Sequence, residues 1–508
     1  MTEPAGVSPR VVAPAELGRS ADEPVPFGTV VSIDAETKQL APDVLFGGSP
    51  GRLLRLGPAG VTALAELRAG PVASPAAAAL ARQLTDAGVA HPVPRQPTPG
   101  RPAQAGPDAP DVTVVVPVRD RVVELGECLA FGGRSHPVVV VDDGSVDPAA
   151  IAEVAARHGA SSVRRALAGG PAAARNAALS IVGSDLMAFV DSDCLPPPDW
   201  VDRVVGHFAD PLVAAVAPRI VALGVSTIGS PLDLGDRPGP VAPGTRLPYV
   251  PTAALVVRRA ALGDGFDEAL RYGEDVDLVW RLVEAGWRVR YDPSVEVGHR
   301  EPVALTDRLR RRFDYGTSAA PLARRHPGQL VHLVVSPAPA ATVAALLARR
   351  PAVAAASFAV GTARLAGRFR RFGATWPDVV GASATGVTQT WLGVGRFAGQ
   401  FAWPVLAGLL VAPGGRTARV RHGRRLAVLS LVLGPVLAGW RQARRRAGII
   451  GSRPGPLRYG AELLVDQAAY GAGVYAGCWR ERSVEPLVPS LPGCDVRGRR
   501  NRDRSAGP

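Results

Sequence analysis

The chain has 508 residues, 47% apolar and 20% charged, which excludes a disordered chain and is too long for one core, so two to four domains are expected. A formal charge of +13 ordinarily points to nucleic acid or anionic lipid. Here Lys38 is the only lysine among 58 basic residues and Ala, Gly and Pro abound, a pattern of GC-rich codon usage as much as of polyanion binding.

The opening "MTEPAGVSPRVV" lacks a basic segment followed by an apolar one, so no secretory signal is expected. Residues 24–92 read as short strands broken by Gly and Pro turns. Two helices follow, "VTALAELRAG" and "SPAAAALARQLTDAGV", the second with Ser74 as N-cap and Pro75 at its first position. This is the size of a winged-helix-like α+β binding module. Residues 93–110 carry a proline every few positions and are expected to be an extended linker.

From residue 111 strands and helices alternate. "VTVVV" is a strand buried on both faces, "RVVELGECLAF" a helix, "PVVVV" the next strand, "DPAAIAEVAARHG" a helix, then a weak strand near 162, "GGPAAARNAALSIV", and "LMAFV". That period predicts a parallel α/β sheet, in which ligands bind beyond the carboxyl ends of the strands. Three polar clusters fall at those ends: "PVRDR", "DDGS" and "DSD".

Each cluster has a bland reading and a chemical one. Asp142 and Asp143 suit a turn with an N-cap, or carboxylates that accept from a base N–H or a ribose hydroxyl. Gly169 and Gly170 open a helix carrying Arg175 and Asn176 one turn in, where free N–H groups and the arginine suit a diphosphate. Asp191 and Asp193 are spaced i and i+2, so on an extended strand both carboxylates face one side, as a hard divalent ion requires. Downstream, Glu274 and Asp275 begin an amphipathic helix, as dipole partners or as a general base with a positioning neighbour. His299 is a lone histidine after a short strand, structural or a further metal contact.

Together "VVVPVRDR", "VDDGS", "GGPAAARN", "FVDSDC" and "GEDVDLVWR" resemble, in order and spacing over about residues 111–300, the family 2 glycosyltransferases. The resemblance implies a GT-A nucleotide-sugar-binding sheet over 111–325 and inverting transfer assisted by Mg²⁺ or Mn²⁺. It implies Pro117, Asp142, Asp143, Gly170, Arg175, Asn176 and Asp191 as nucleotide-sugar contacts. Asp193, Asp191 and His299 are then the metal set, Asp275 the catalytic base, and Glu274 its neighbour at the acceptor. "PVRDR" departs from the family pattern and leaves Arg119 without an implied role. The 24–92 module resembles small peptide-binding domains of pathways that modify ribosomally made peptides, including the pyrroloquinoline quinone chaperone. Its fusion to a family 2 transferase is the arrangement of the mycofactocin glycosyltransferases. That implies glucose transfer from UDP-glucose to a peptide-derived redox-cofactor precursor, building a β-linked oligoglucose tail.

Leu309–Phe313, "LRRRF", stands where processive β-glucan synthases carry Gln-x-x-Arg-Trp, and the Gln and Trp are absent. Residues 326–485 are rich in Ala, Val and Leu with arginine clusters. The runs "FAGQFAWPVLAGLLVA" and "LAVLSLVLGPVLAGW" fall short of the roughly 20 residues that span a bilayer, so helices of a bundle or helices lying at a membrane surface are expected. Residues 486–508 read as a disordered tail. Two other functions fit: a family 2 transferase acting on a cell-wall polysaccharide or lipid, and a non-catalytic basic scaffold. Nucleic acid is not the expected partner. A cytoplasmic location, at the inner membrane face if the C-terminal helices touch lipid, is expected.

Overall fold

The computed structural model describes residues 9–94, 110–132, 135–224, 228–412, 418–450 and 455–490. Most of the expected linker (95–109) and tail (491–508) therefore lies outside the described residues. Contacts gather the described parts of Met1–Gly224 and Gly229–Glu301 into one compact unit, and those of Val225–Ile228 and Pro302–Pro508 into another.

The first unit begins with strands β1 (Val30–Ile33), β2 (Lys38–Ala41), β3 (Val44–Gly47) and β4 (Arg52–Arg55), helices α1 (Pro58–Ala69) and α2 (Pro75–Asp86), and strand β5 (Ala90–Val93). β2, β3 and β4 form an antiparallel sheet, and β1 pairs with β5. Ser74 caps α2 by accepting from Ala77 N, and Pro75 occupies the first turn, where its missing N–H costs nothing. Leu64, Leu67, Leu80 and Leu84 of the two helices close the core over Leu45.

Then come β6 (Val112–Val118), α3 (Val122–Gly132), β7 (Val138–Asp142), α4 (Pro148–Arg157), β8 (Ser161–Arg164), α5 (Pro171–Leu179), β9 (Leu186–Val190), β10 (Cys194–Leu195) and α6 (Trp200–Val205). β11 (Val213–Leu223), β12 (Gly239–Val241), β13 (Ala254–Arg258), α7 (Arg259–Leu262), α8 (Glu274–Glu284) and β14 (Arg288–Arg300) complete the unit. They build a nine-stranded sheet of order β10-β14-β11-β13-β9-β6-β7-β8, with β12 on β14. β9, β6, β7 and β8 run parallel, as the alternating pattern predicts, while β13 joins β9 antiparallel. All five residues of β9 are buried, which explains its unbroken apolar run. Pro117 sits just past the β6–β9 pairing, which ends at Val115–Phe189, so its missing N–H breaks no bond there.

The small module is pinned to this sheet by buried charge. Arg82 on α2 forks onto Asp210, with both contacts at 2.8 Å, and Arg290 of β14 reaches the same carboxylate at 2.7 Å. All three side chains are buried. Asp34 similarly accepts from Arg237 at 3.1 Å and pairs with His91 at 2.9 Å.

The second unit is helical: α9 (Leu305–Thr317), α10 (Ala319–Arg325), α11 (Pro337–Leu347), α12 (Pro351–Phe369), α13 (Trp376–Phe401), α14 (Trp403–Val411), α15 (Ala418–Ile450) and α16 (Pro456–Glu481). α9 and α16 cross at backbone contact: a Cβ on Gly473 would lie 1.9 Å from Phe313 O, and one on Gly316 2.2 Å from Tyr470 O. The "LRRRF" stretch lies on α9, where Arg312 pairs with Asp466 at 2.8 Å and covers the Tyr470 ring. Helix formation extends the apolar run near residue 430 beyond what its composition alone implied. By length and mean hydropathy alone the 25-residue stretch Val420–Arg444 meets the requirement for crossing a bilayer, and α13 and α14 meet at 93°.

Replacing Asp210 by Ala leaves Arg82 and Arg290 buried without their shared anion. A loss of about 3–5 kcal/mol of unfolding free energy is expected in urea titrations. A loss below ~1 kcal/mol would show that the module docks by other means.

Candidate active site

The parallel strands deliver their polar ends to one edge of the sheet. β6 runs into Arg119, Asp120 and Arg121, β7 into Asp142 and Asp143, and β9 into Asp191. The loops are knitted together. Asp120, at a positive φ of 58°, donates its N–H to Ser145 Oγ at 2.9 Å, and Val146 N donates to Asp120 Oδ1 at 2.7 Å. A left-handed Asp at such a junction is held by its surroundings rather than by preference.

Asp191, Ser192 and Asp193 form a tight turn, in which Cys194 N donates to Asp191 O at 2.9 Å. This corrects the extended i, i+2 reading: the two carboxylates go to different partners. Asp191 accepts from Arg175 Nη2 at 2.7 Å. Asp193 pairs through Oδ2 with Arg121, and its Oδ1 lies 3.8 Å from His299 Nε2. His299 arrives through strand register, since β10 pairs antiparallel with β14 and sets Cys194 opposite it. Its Nδ1 is held by Glu301 at 3.0 Å. An oxygen and an imidazole nitrogen 3.8 Å apart are too distant to hydrogen-bond and close enough to share a divalent ion. Among the described residues no group of three or more His, Cys, Asp or Glu side chains is gathered that could hold a metal ion by itself.

Arg175 organises the centre. It is 2% exposed, and its second fork arm donates to Glu274 Oε1 at 2.9 Å. Phe266 lies under the guanidinium at 5.5 Å and stacks edge-on against Phe189. One cation thus joins the end of β9 to the start of α8, 83 residues later in the chain. Burial and the neighbouring Asp275 charge push the Glu274 carboxyl up to about 7, against the pull of Arg175. Burial also raises Asp275, opposed by the Val276 N–H that it accepts at 2.8 Å and by Arg175. The Asp191 charge adds to that rise, so Asp191 and Asp275 lie in one electrostatic neighbourhood. Adjacent carboxyls of this kind titrate as a pair.

Other expected contacts are placed differently. Arg175 is enclosed by carboxylates, not open to a diphosphate. The N–H groups of Gly169 and Gly170 donate to Asp143, at 3.0 Å and 2.7 Å, so Gly170 does not offer its N–H to phosphate. Asp143 also pairs with Arg165, while Asp142 accepts from Ser145 N at 2.8 Å. Asn176 brackets Phe266, accepting its N–H and donating to its carbonyl, both at 2.8 Å, and so positions the loop under Arg175 rather than a ligand. Pro117 is buried in β6. Sequence reading missed Arg121 and Arg165. Their carboxylate partners are 72 and 22 residues away, and the one available signal was a basic residue at each strand-end loop.

A family profile described as glycosyl transferase family 2 matches residues 113–262. The chain is 38% identical over 486 residues to the pre-mycofactocin glycosyltransferase of Mycobacterium tuberculosis, in strains CDC 1551 and H37Rv, covering 92% of this chain and 98% of that protein. Among solved structures it is similar to a mannosyltransferase of Pyrobaculum calidifontis in complex with GDP-Man and Mn²⁺, at 20% identity and a TM-score of 0.36, covering 67% of this chain and 91% of that one. It is also similar to S. aureus TarS 1-349 in complex with UDP-GlcNAc, at 13% identity and a TM-score of 0.37, covering 73% and 92%.

A carboxyl raised from 4.5 to about 7 binds its proton more tightly in the folded chain, so its contribution to stability is full below pH 4.5 and is lost as pH rises through 7. Over that window the slope approaches about 1.4 kcal/mol per pH unit per proton. Urea unfolding at pH 5 and pH 8 should show the wild-type losing more stability than Glu274→Gln. Equal losses would mean that Glu274 is not the titrating group.

Proposed function

This chain belongs to the family 2 glycosyltransferases, in the group of the pre-mycofactocin glycosyltransferase, and on that premise we propose that it moves glucose from UDP-glucose onto the peptide-derived precursor premycofactocin, with inversion at the sugar carbon, and extends a β-linked oligoglucose tail. The observation that carries the reading is the convergence, through Arg175, of the Asp191 turn with the Glu274–Asp275 pair at the strand ends of a GT-A sheet.

In this reading Asp275 takes the proton of an acceptor hydroxyl. That oxygen bonds to the anomeric carbon from the face opposite the nucleotide, while the bond from that carbon to the diphosphate oxygen breaks and UDP departs with the electron pair. Burial and the Asp191 charge, which raise Asp275, make it a stronger base than an exposed aspartate. Arg175 fixes Glu274 and Asp191 in place through its two donated hydrogen bonds. Asp193 and His299 would hold a Mg²⁺ or Mn²⁺ ion, with the donor's own oxygens as further ligands; such an ion supplies positive charge against the leaving diphosphate. Arg121, more than a third exposed beside Asp193, is a second cation within reach of that group. Asp142 and Asp143 shape the nucleoside end. The module of residues 24–92 is assigned the acceptor, and the protein the cytoplasmic compartment, where nucleotide sugars are made.

Purified protein with UDP-glucose, Mn²⁺ and premycofactocin should add hexoses in 162-Da steps by mass spectrometry. Asp275→Asn should lower the transfer rate roughly 10²–10⁴-fold with donor affinity little changed. Transfer at the wild-type rate by Asp275→Asn would remove the mechanism, and transfer only to other acceptors would remove the assignment. The rate should fall at low pH as the raised Asp275 carboxyl takes up its proton, and Glu274→Gln should move that limb to lower pH because one repelling charge is gone.

A further inference from the structure

The charge of this protein is segregated. Between residues 326 and 490 the sequence carries twenty arginines against five acids (Asp378, Glu462, Asp466, Glu481 and Glu485), so this stretch holds more positive charge than the chain's whole net of +13. Nothing in the transfer reaction uses it. The same stretch exposes apolar side chains in an ordered way. On α15, Leu426, Leu429, Leu433 and Leu437 recur at helical spacing and are 40% to 47% exposed, while Val428, on the far side of the helix, is buried. Four leucines in register on the outward side form a stripe, not scattered exceptions. Arg421 and Arg425 stand before it and Arg441 and Arg444 after it.

The neighbouring helix α14, "WPVLAGLLV", has no charged residue and yet exposes Trp403, Val405 (60%) and Val411 (78%). It is tied to α15 by arginine: Arg425 Nε donates to Leu410 O at 3.0 Å, and Arg424 donates to Ala412 O. Two carbonyls at the end of α14 are thereby paired within the protein, and an apolar helix, a leucine stripe and a border of cations become one surface.

We propose that α14 and the leucine stripe of α15 form a face that binds the surface of an anionic lipid bilayer. Apolar side chains enter the headgroup boundary, and the bordering arginines meet lipid phosphates. A nucleic acid would use the arginines and leave the leucines in water, whereas lipid uses both. The face lies on the bilayer rather than crossing it. From Arg425 to Arg441 the helix rises only about 24 Å, less than the roughly 30 Å hydrocarbon core, so a spanning pose would draw arginine into hydrocarbon. A second copy of the chain would meet the same arginines with its own and be repelled.

The test is flotation of the full-length protein with vesicles of pure phosphatidylcholine and of phosphatidylcholine with 30% phosphatidylglycerol, at about 100 mM salt. Binding at least tenfold stronger to the anionic vesicles is expected. Leu429→Asp/Leu433→Asp should abolish it, and Arg441→Ala/Arg444→Ala should erase the preference for anionic lipid. Both variants should keep the wild-type melting temperature and transfer rate, since they alter exposed positions outside the reaction centre. Equal binding to both vesicle types, undiminished binding by the leucine variant, or resistance to carbonate extraction would overturn the proposal. So would a dimer in light scattering that the leucine variant splits, or duplex DNA binding that the leucine variant retains while lipid binding is absent.

Discussion

One buried cation holds the reaction centre together. Arg175 reaches Asp191 with one arm and Glu274 with the other, with the Phe266 ring beneath it. The buried Glu274 carboxyl is already pushed up to about 7 by burial and by Asp275, and Arg175 pulls against that rise. Through that cation, two segments far apart in sequence become one acidic surface. The cost of burying the guanidinium is offset by two charge-assisted hydrogen bonds and a stacked ring. Asn176, one residue on, brackets the Phe266 backbone, so the same turn of α5 positions both the cation and the ring it rests on.

The sheet explains why the partners can meet. Parallel strands point their carboxyl ends one way, so β6, β7 and β9 each deliver a loop to the same edge. β13 and β14 then complete the sheet, and α8 brings its N-terminus, with Glu274 and Asp275, to that edge. Antiparallel pairing of β10 with β14 adds His299 beside Asp193. Opposite, Asp210 with Arg82 and Arg290 fixes the small N-terminal module to the sheet, a second place where buried charge rather than apolar area sets geometry.

Much of this was legible in the sequence. Period and apolar runs disclosed the parallel strands, Ser74-Pro75 the start of α2, and five motifs in order the family. The errors share one cause. Reading Asp191 and Asp193 as neighbours on a strand assumed an extended backbone, and the chain turns there. Reading Gly170 and Arg175 as phosphate contacts assumed that their donors face solvent. Asp143 takes the glycine N–H groups, and Asp191 with Glu274 takes the guanidinium. Pairings that span tens of residues leave no periodic trace, which is also why Arg121 and Arg165 went unnoticed. The length of α15 was misjudged because helix formation carries an apolar run through the arginines that border it.

The direct measurement is a double-mutant cycle on folding free energy at pH 8, where Glu274 is ionised, using Arg175→Met and Glu274→Gln singly and together. A coupling of about 1–3 kcal/mol is predicted, the double variant being less destabilised than the sum of the two. Additive losses within ~0.3 kcal/mol would mean that the guanidinium does not bind those carboxylates into a unit, and the shared reaction centre would have to be abandoned.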